Sequence, residues 1–289
     1  MSTSEALAAS SSELRPSQVV IYGNPGERWR EALSPWAPVW ARIPAVREVV
    51  MVESGPDPRI PASRSPGLDS VIVPLTERDA ATCPSGRRSL SPEPLAIDTF
   101  WNKASFARYV ERAGLSELCP VRYRNEAEAQ FPCVLKSLRN SCGRGVAVVE
   151  SAAHLHALLQ RPPWLGKSVL LQALVEGTEE FVTHCVCRAG KILWSCSFVY
   201  ELDSGDLIRT TRNVRAPRQH RPSPAILAQI AGLIAPSGYT GPCNLDYKIT
   251  EAGRIAVFEI NARLGGSLMA PERVDELADA LACIIRHAA

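Results

Sequence analysis

The residue types best able to do chemistry together lie in Asn244-Leu-Asp246 and in Phe258-Glu259-Ile-Asn261-Ala-Arg263-Leu-Gly265-Gly266-Ser267. Ala252-Gly253 marks a hairpin between them, so Asp246 and Glu259 fall on adjacent strands where their carboxylates can meet. Glu259 and Asn261 are two apart, which points both side chains to one face of a strand. Converging Asp, Glu and Asn oxygens suit a hard cation such as Mg²⁺, usually completed by phosphate oxygens and water. Arg263 adds a cation, and the glycines add backbone N–H groups, where an anion would lie. Ordinary hairpin polars facing solvent would read the same way, although Glu259 and Asn261 sit among Val257, Phe258 and Ile260.

Two further stretches carry weaker signals. Lys136-Ser-Leu-Arg-Asn-Ser141-Cys-Gly143-Arg-Gly145-Val reads as a strand, a Gly/Ser loop and a strand. Such a loop can fold over a polyphosphate and donate backbone N–H groups at low steric cost, but a tight hairpin would look alike. It is not a GxxxxGK[ST] loop, and no GxGxxG follows a first strand. In Leu170-Leu-Gln172-Ala173-Leu174-Val175-Glu-Gly177-Thr-Glu179-Glu180-Phe, an apolar strand runs into a Gly turn and an acidic pair. The backbone of 173–175 can pair with an adenine edge and a following Glu can hold ribose hydroxyls; a strand simply leaving a core is the alternative.

In this order, the three stretches resemble the ATP-grasp superfamily of D-alanine–D-alanine ligases, biotin carboxylases and carbamoyl-phosphate synthases. The resemblance covers roughly 99–270, and FEINARLGGS is its most specific part. It implies ATP and Mg²⁺ (or Mn²⁺) as cofactors, with Asp246, Glu259 and Asn261 as metal ligands. Lys103, in WNKASF, and Lys136 fit the family's two phosphate-binding lysines, with Ser141, Gly143 and Gly145 in the phosphate loop. The adenine hinge matches Gln172, Ala173, Leu174 and Val175, with Gln172 standing where Glu is frequent. The ribose acid would be Glu180, or Glu179 if the alignment slips by one. Ser137 and Ala262 replace prolines common in the family, and neither change removes a charged group.

Arg209, Arg212, Arg215, Arg218 and Arg221 recur at every third position, and Pro217 and Pro222 argue against a continuous helix through them. A solvated loop is one reading. In the other, Arg209 and Arg212 face the active site and clamp a substrate carboxylate bidentately. His184 reads as a structural histidine, and Cys142 has no base near it in sequence to make it a nucleophile.

The elements that would position these groups follow from the apolar pattern. Three β-branched runs, 18–22, 46–52 and 70–75, separated by Pro/Gly/Ser-rich loops, predict a small α/β domain over 17–98, after a disordered lead-in over 1–16. A helix over 99–113 closed by Gly114, strands at 133–136 and 146–149, and a short helix over 154–159 form a central lobe over 99–166. Strands at 169–174, 180–188, 191–200, 241–249 and 254–260, much of them antiparallel, and a helix over 271–287 opened by Pro271 form a C-terminal lobe over 167–289. The fold class is α/β, and the resemblance implies an ATP-grasp fold with a small preceding domain.

Composition agrees with a folded chain: of 289 residues, 46% are apolar and 21% charged. The net charge of +2 offers no strong field for nucleic acid or anionic lipid. Among 32 basic residues only five are lysines, which makes each lysine worth inspecting. Nine scattered cysteines without a CxxC read as small hydrophobes in a reducing cytoplasm, and no apolar run is long enough to span a membrane.

Together these readings predict an ATP-dependent carboxylate–amine ligase working through an acylphosphate on an amino acid or small peptide-like metabolite. Lys103, Lys136 and Arg263 would neutralise charge during phosphoryl transfer, and no enzyme nucleophile is required. Dimerisation is an expectation from the family. An ATP-grasp kinase, a bicarbonate-activating enzyme and a non-catalytic ATP-binding module are the alternatives.

Overall fold

The computed structural model describes residues 14–15, 17–24, 26–55, 58–63, 68–84, 87–138, 145–203, 205–210 and 216–289. Its first sheet consists of β1 (Ser17–Tyr22), β2 (Val46–Val52), β3 (Asp69–Pro74) and β4 (Arg88–Ser89), in the order β2-β1-β3-β4 with every pairing parallel. All six residues of β1 are buried, which is why Val19–Tyr22 reads as an unbroken apolar run instead of an alternating one. Helix α1 (Glu27–Leu33) follows β1, and α2 (Glu77–Ala81) follows β3.

The expected helix over 99–113 is two helices, α3 (Pro94–Trp101) and α4 (Lys103–Arg112). Asn102 breaks them apart. Its backbone is extended, and its side chain accepts from the N–H groups of Ala104 and Ser105 at 3.0 and 3.3 Å. An Asn that satisfies two otherwise orphaned donors starts a helix more favourably than it continues one.

The second sheet is antiparallel, in the order β5-β8-β6-β7, from β5 (Arg122–Tyr123), β6 (Cys133–Ser137), β7 (Val146–Val149) and β8 (Val169–Ala173). Helix α5 (Ala152–Leu159) covers it, capped by Ser151. Cys133, Leu135, Val149, Leu155, Trp164 and Leu171 make a core of their own here.

The third sheet, also antiparallel, runs β11-β10-β9-β12-β13, from β9 (Glu179–Arg188), β10 (Lys191–Glu201), β11 (Arg218–His220), β12 (Gly241–Ile249) and β13 (Ile255–Asn261). Its two faces separate by the strand period of two. Phe181, Cys185 and Cys187 of β9 pack with Phe106 and Tyr109 of α4 and with Ile226 and Ile230 of α6 (Pro224–Ile234). Val182 and Val186 turn the other way, against Leu277, Leu281 and Ile284 of α7 (Val274–His287) and the residues around β1. The C-terminal helix starts at Val274, because Pro271–Arg273 forms a separate 3₁₀ turn. No helix among the described residues is long and apolar enough to cross a membrane, and the eight described cysteines are free thiols.

Candidate active site

A cavity of about 600 Å³ lies between the second and third sheets, large enough for a drug-sized ligand. Val134, Lys136, Val146 and Gln172 line it from the second sheet; Glu180, Val182, Tyr200, Asn244, Asp246, Phe258, Glu259 and Asn261 line it from the third. Lys103, at the start of α4, and the segment Ala173–Val175 also line it.

The β12–β13 hairpin does what its spacing predicts. Asp246 is the direct cross-strand partner of Glu259, and Asn244 that of Asn261. The Asn261 amide nitrogen faces Asn244 Oδ1 at 3.2 Å, Asp246 Oδ2 at 3.3 Å and Glu259 Oε1 at 3.5 Å. The two carboxylates each carry a protein cation as well. Lys103 Nζ lies 2.7 Å from Glu259 Oε2. Arg209 Nη2 lies 2.6 Å from Asp246 Oδ1, and its Nε lies 2.7 Å from Glu180 Oε1. The guanidinium stands 4.3 Å over the ring of Tyr200, a cation–π contact that backs its two ion pairs.

Burial and neighbours divide these groups. Burial pushes the Asp246 carboxyl up, Arg209 pulls it back, and the net direction is upward with Glu259 adding to it. Burial also raises Glu259, but Lys103 and Lys136 outweigh it and hold that carboxyl below its ordinary range. Glu180 is pushed up to about 6 by burial, opposed by Arg209. Lys136, buried 4.8 Å above the Phe258 ring, is pushed down to about 8, first by burial, with Glu259 resisting and Lys103 assisting.

The donor set fits a hard divalent cation: two carboxylates and an amide from one hairpin, all oxygen-bearing. The amide presents its nitrogen to the acids, and each acid has one oxygen held by a lysine or arginine. Metal binding would therefore require the amide to turn, while Asp246 Oδ2 and Glu259 Oε1, which face that amide, would be the oxygens offered.

Of the two candidate ribose acids, Glu180 is buried and lines the cavity, whereas Glu179 points away, 3.8 Å from Arg218 Nη2. The Gln172 side-chain oxygen is buried without a hydrogen-bond partner, an acceptor available to a ligand. Gly145, with φ of 68°, accepts from the Ser137 N–H at 2.8 Å. Ser141, Gly143, Cys142 and Arg212 lie outside the described residues.

Arg263 is held by Glu77 of α2, with Nε to Oε1 at 3.2 Å, and donates to its neighbour Leu264 O at 2.9 Å. Glu77 is buried, and nothing in the sequence marks it apart from its place in the capping turn of Thr76. Gly265 packs on His184: a Cβ there would stand 2.3 Å from His184 Cε1. That ring, pushed down to about 3 by burial with Arg263 and Arg209 nearby, is neutral, and its Nε2 lies 2.6 Å from Ser267 Oγ. His184 is thus structural, but it shapes the Gly-Gly-Ser segment of the site.

No protein-family model matches the chain, and no curated protein matches it. Solved structures do. The chain is similar to an L-amino acid ligase from Bacillus licheniformis, with 14% identity, 95% of this chain and 75% of that one covered, and a TM-score of 0.61. D-alanine–D-alanine ligase from Bacillus anthracis matches with 14% identity, coverage of 93% and 96%, and a TM-score of 0.62. An N5-carboxyaminoimidazole synthase from Aspergillus clavatus, in complex with ADP and 5-aminoimidazole ribonucleotide, matches with 15% identity, coverage of 93% and 78%, and a TM-score of 0.63. At such identities the likeness is one of fold, and it is the fold the sequence resemblance implies: the chain has the ATP-grasp fold.

Proposed function

We propose that the protein is an ATP-dependent ligase that joins a carboxylate to an amine, with an amino acid or small peptide-like metabolite as substrate. The observation that carries this reading is the meeting of Asp246, Glu259 and Asn261 with Lys103 and Lys136 in one cavity between two antiparallel sheets. Asp246, Glu259 and Asn261 would hold Mg²⁺, which supplies charge neutralisation on the transferring phosphoryl group.

The chain's own residues do the rest. In the segment 173–175, where the Ala173 N–H already donates to Val121 O and the Val175 carbonyl accepts from Lys248, the remaining backbone groups would meet an adenine edge, with Gln172 offering an unpartnered acceptor and Glu180 a carboxylate to ribose hydroxyls. Lys103, Lys136 and Arg263 meet phosphate oxygens. A substrate carboxylate oxygen attacks the γ-phosphorus and ADP leaves, giving an acylphosphate. The amine nitrogen then attacks the acyl carbon, inorganic phosphate departs, and the nitrogen loses a proton. Catalysis is positioning and electrostatics, so a covalent enzyme nucleophile is unnecessary. Arg209, which lines the cavity, would take an anionic group of the substrate.

The test is phosphate release from Mg·ATP with pooled amino acids, with Glu259→Gln beside the parent protein. Release should need both Mg²⁺ and an added amino acid and should drop by two orders of magnitude or more in the variant, roughly the loss expected of a group acting on transition-state charge. ADP formation with no new amide would instead point to a kinase. No Mg·ATP binding would remove the nucleotide reading.

A further inference from the structure

Lys248 has no part in the chemistry above, yet it is the most deeply buried lysine among the described residues, 1% exposed on β12 two residues beyond Asp246. Its ammonium donates to three backbone carbonyls: Val175 at 3.0 Å, Gly177 at 2.6 Å and Leu207 at 3.2 Å. An ammonium has three protons, and all three are used. Enclosing a charge is costly unless such charge-assisted bonds replace its water, so the three carbonyls hold the side chain in this position.

The acceptors come from two separate pieces of the cavity wall. Val175 and Gly177 belong to the irregular crossing from β8 to β9, where Gly177 has φ of 105° and no strand ladder fixes the backbone. Leu207 lies two residues before Arg209, the residue that bridges Glu180 and Asp246. Val175 and Leu207 both line the cavity, and Lys248 holds the carbonyls of both.

We infer that Lys248 is a positioning residue that ties the 175–177 crossing and the segment leading to Arg209 to β12, so that one side chain sets the backbone facing the base and the placement of Arg209. This rests on the nucleotide reading for what the crossing binds. The tie itself does not, which gives two separable readouts.

Lys248→Met keeps an unbranched side chain one atom shorter and removes all three donors. After confirming its fold by circular dichroism, hydrogen exchange of the nucleotide-free protein is compared with the parent. Exchange should speed up in 175–178 and 207–210 together and stay unchanged in β13. Titration of Mg·ADP should show affinity weakened tenfold or more, and Lys248→Gln, which keeps two N–H donors on a shorter stem, should fall between. The glutamine variant is read in the same way if the methionine variant does not fold. Faster exchange in only one of the two segments, or a folded variant whose Mg·ADP affinity stays within twofold of the parent, would overturn the inference. A parent protein that binds no Mg·ADP would overturn the nucleotide reading and with it the base-positioning half, while the exchange data still decide the tie.

Discussion

Lys136 is the residue whose charge the site leaves most finely balanced. Burial pushes its ammonium down to about 8, and Glu259 is the main group keeping it protonated. A phosphate oxygen arriving beside it favours the charged form, so nucleotide binding should raise its proton affinity again. The sign follows by linkage: below about pH 8 the ammonium is already charged, and above it binding must take up a proton. Mg·ADP affinity should therefore hold steady up to about pH 8 and then weaken by up to roughly tenfold per pH unit, the limit for one required proton. Calorimetric titrations near pH 7 and pH 9, in buffers of unlike ionisation enthalpy, would read the proton directly. Uptake should appear at the higher pH and vanish in Lys136→Met; equal uptake at both values would contradict the assignment.

The segment that follows β13 shows how an element enforces the residue scale. Gly265 has an ordinary extended backbone, with φ of −94°, so its need for glycine is spatial and not conformational. An added Cβ would meet His184 Cε1 at 2.3 Å and Asn244 Cγ at 3.1 Å, both parts of the β9–β12 wall. At Gly266 the nearest atom, Trp29 Nε1, is 3.9 Å away. Gly265→Ala should thus cost about 1–3 kcal/mol, as overpacking does, and should weaken Mg·ADP binding by shifting Asn244 and Asn261. Gly266→Ala should leave stability within about 0.5 kcal/mol. Urea unfolding of the two variants decides it, and equal costs would rule the account out. The sequence shows that two glycines are present; only the neighbouring ring tells them apart.

Other elements were legible to different degrees for physical reasons. Three of the four strands of the first sheet and the Asp246–Glu259 pairing follow from apolar runs and a turn at Ala252-Gly253, because both are local signals, whereas β4, the polar pair Arg88–Ser89, leaves no such run. The break at Asn102 and the helix α6 behind Ser223-Pro224 carry equally local capping signals, which a reading guided by apolar periodicity passes over. Lys248, Glu77 and Tyr200 are not local at all. Each acquires its role from a partner reached only on folding: backbone carbonyls more than 40 residues away, Arg263, and Arg209 respectively.

At the scale of the molecule, the packing divides the chain differently from the order of its segments. The residues around β1, including Val19, Ile21, Trp40 and Ile43, share one core with Leu277, Leu281 and Ile284 of α7 and with Val182, Val186 and Phe198 of the third sheet. The second sheet keeps its core to itself. The first and third sheets should therefore behave as one cooperative body on which the second is a separately packed cover. Ile284, 1% exposed within the shared core, gives the test. Ile284→Ala should cost about 2–5 kcal/mol, the range for truncating a buried isoleucine. Native-state hydrogen exchange should show the loss equally in β1 and β9, while amides of β6 and β8 exchanging by local opening keep their protection. Loss confined to β9 and β10, with β1 unmoved, would mean that the N-terminal sheet is held by its own contacts alone. A shared core has the opposite consequence: a chain lacking 17–98 would expose Leu277, Leu281 and Ile284 to water and should not unfold in a cooperative transition.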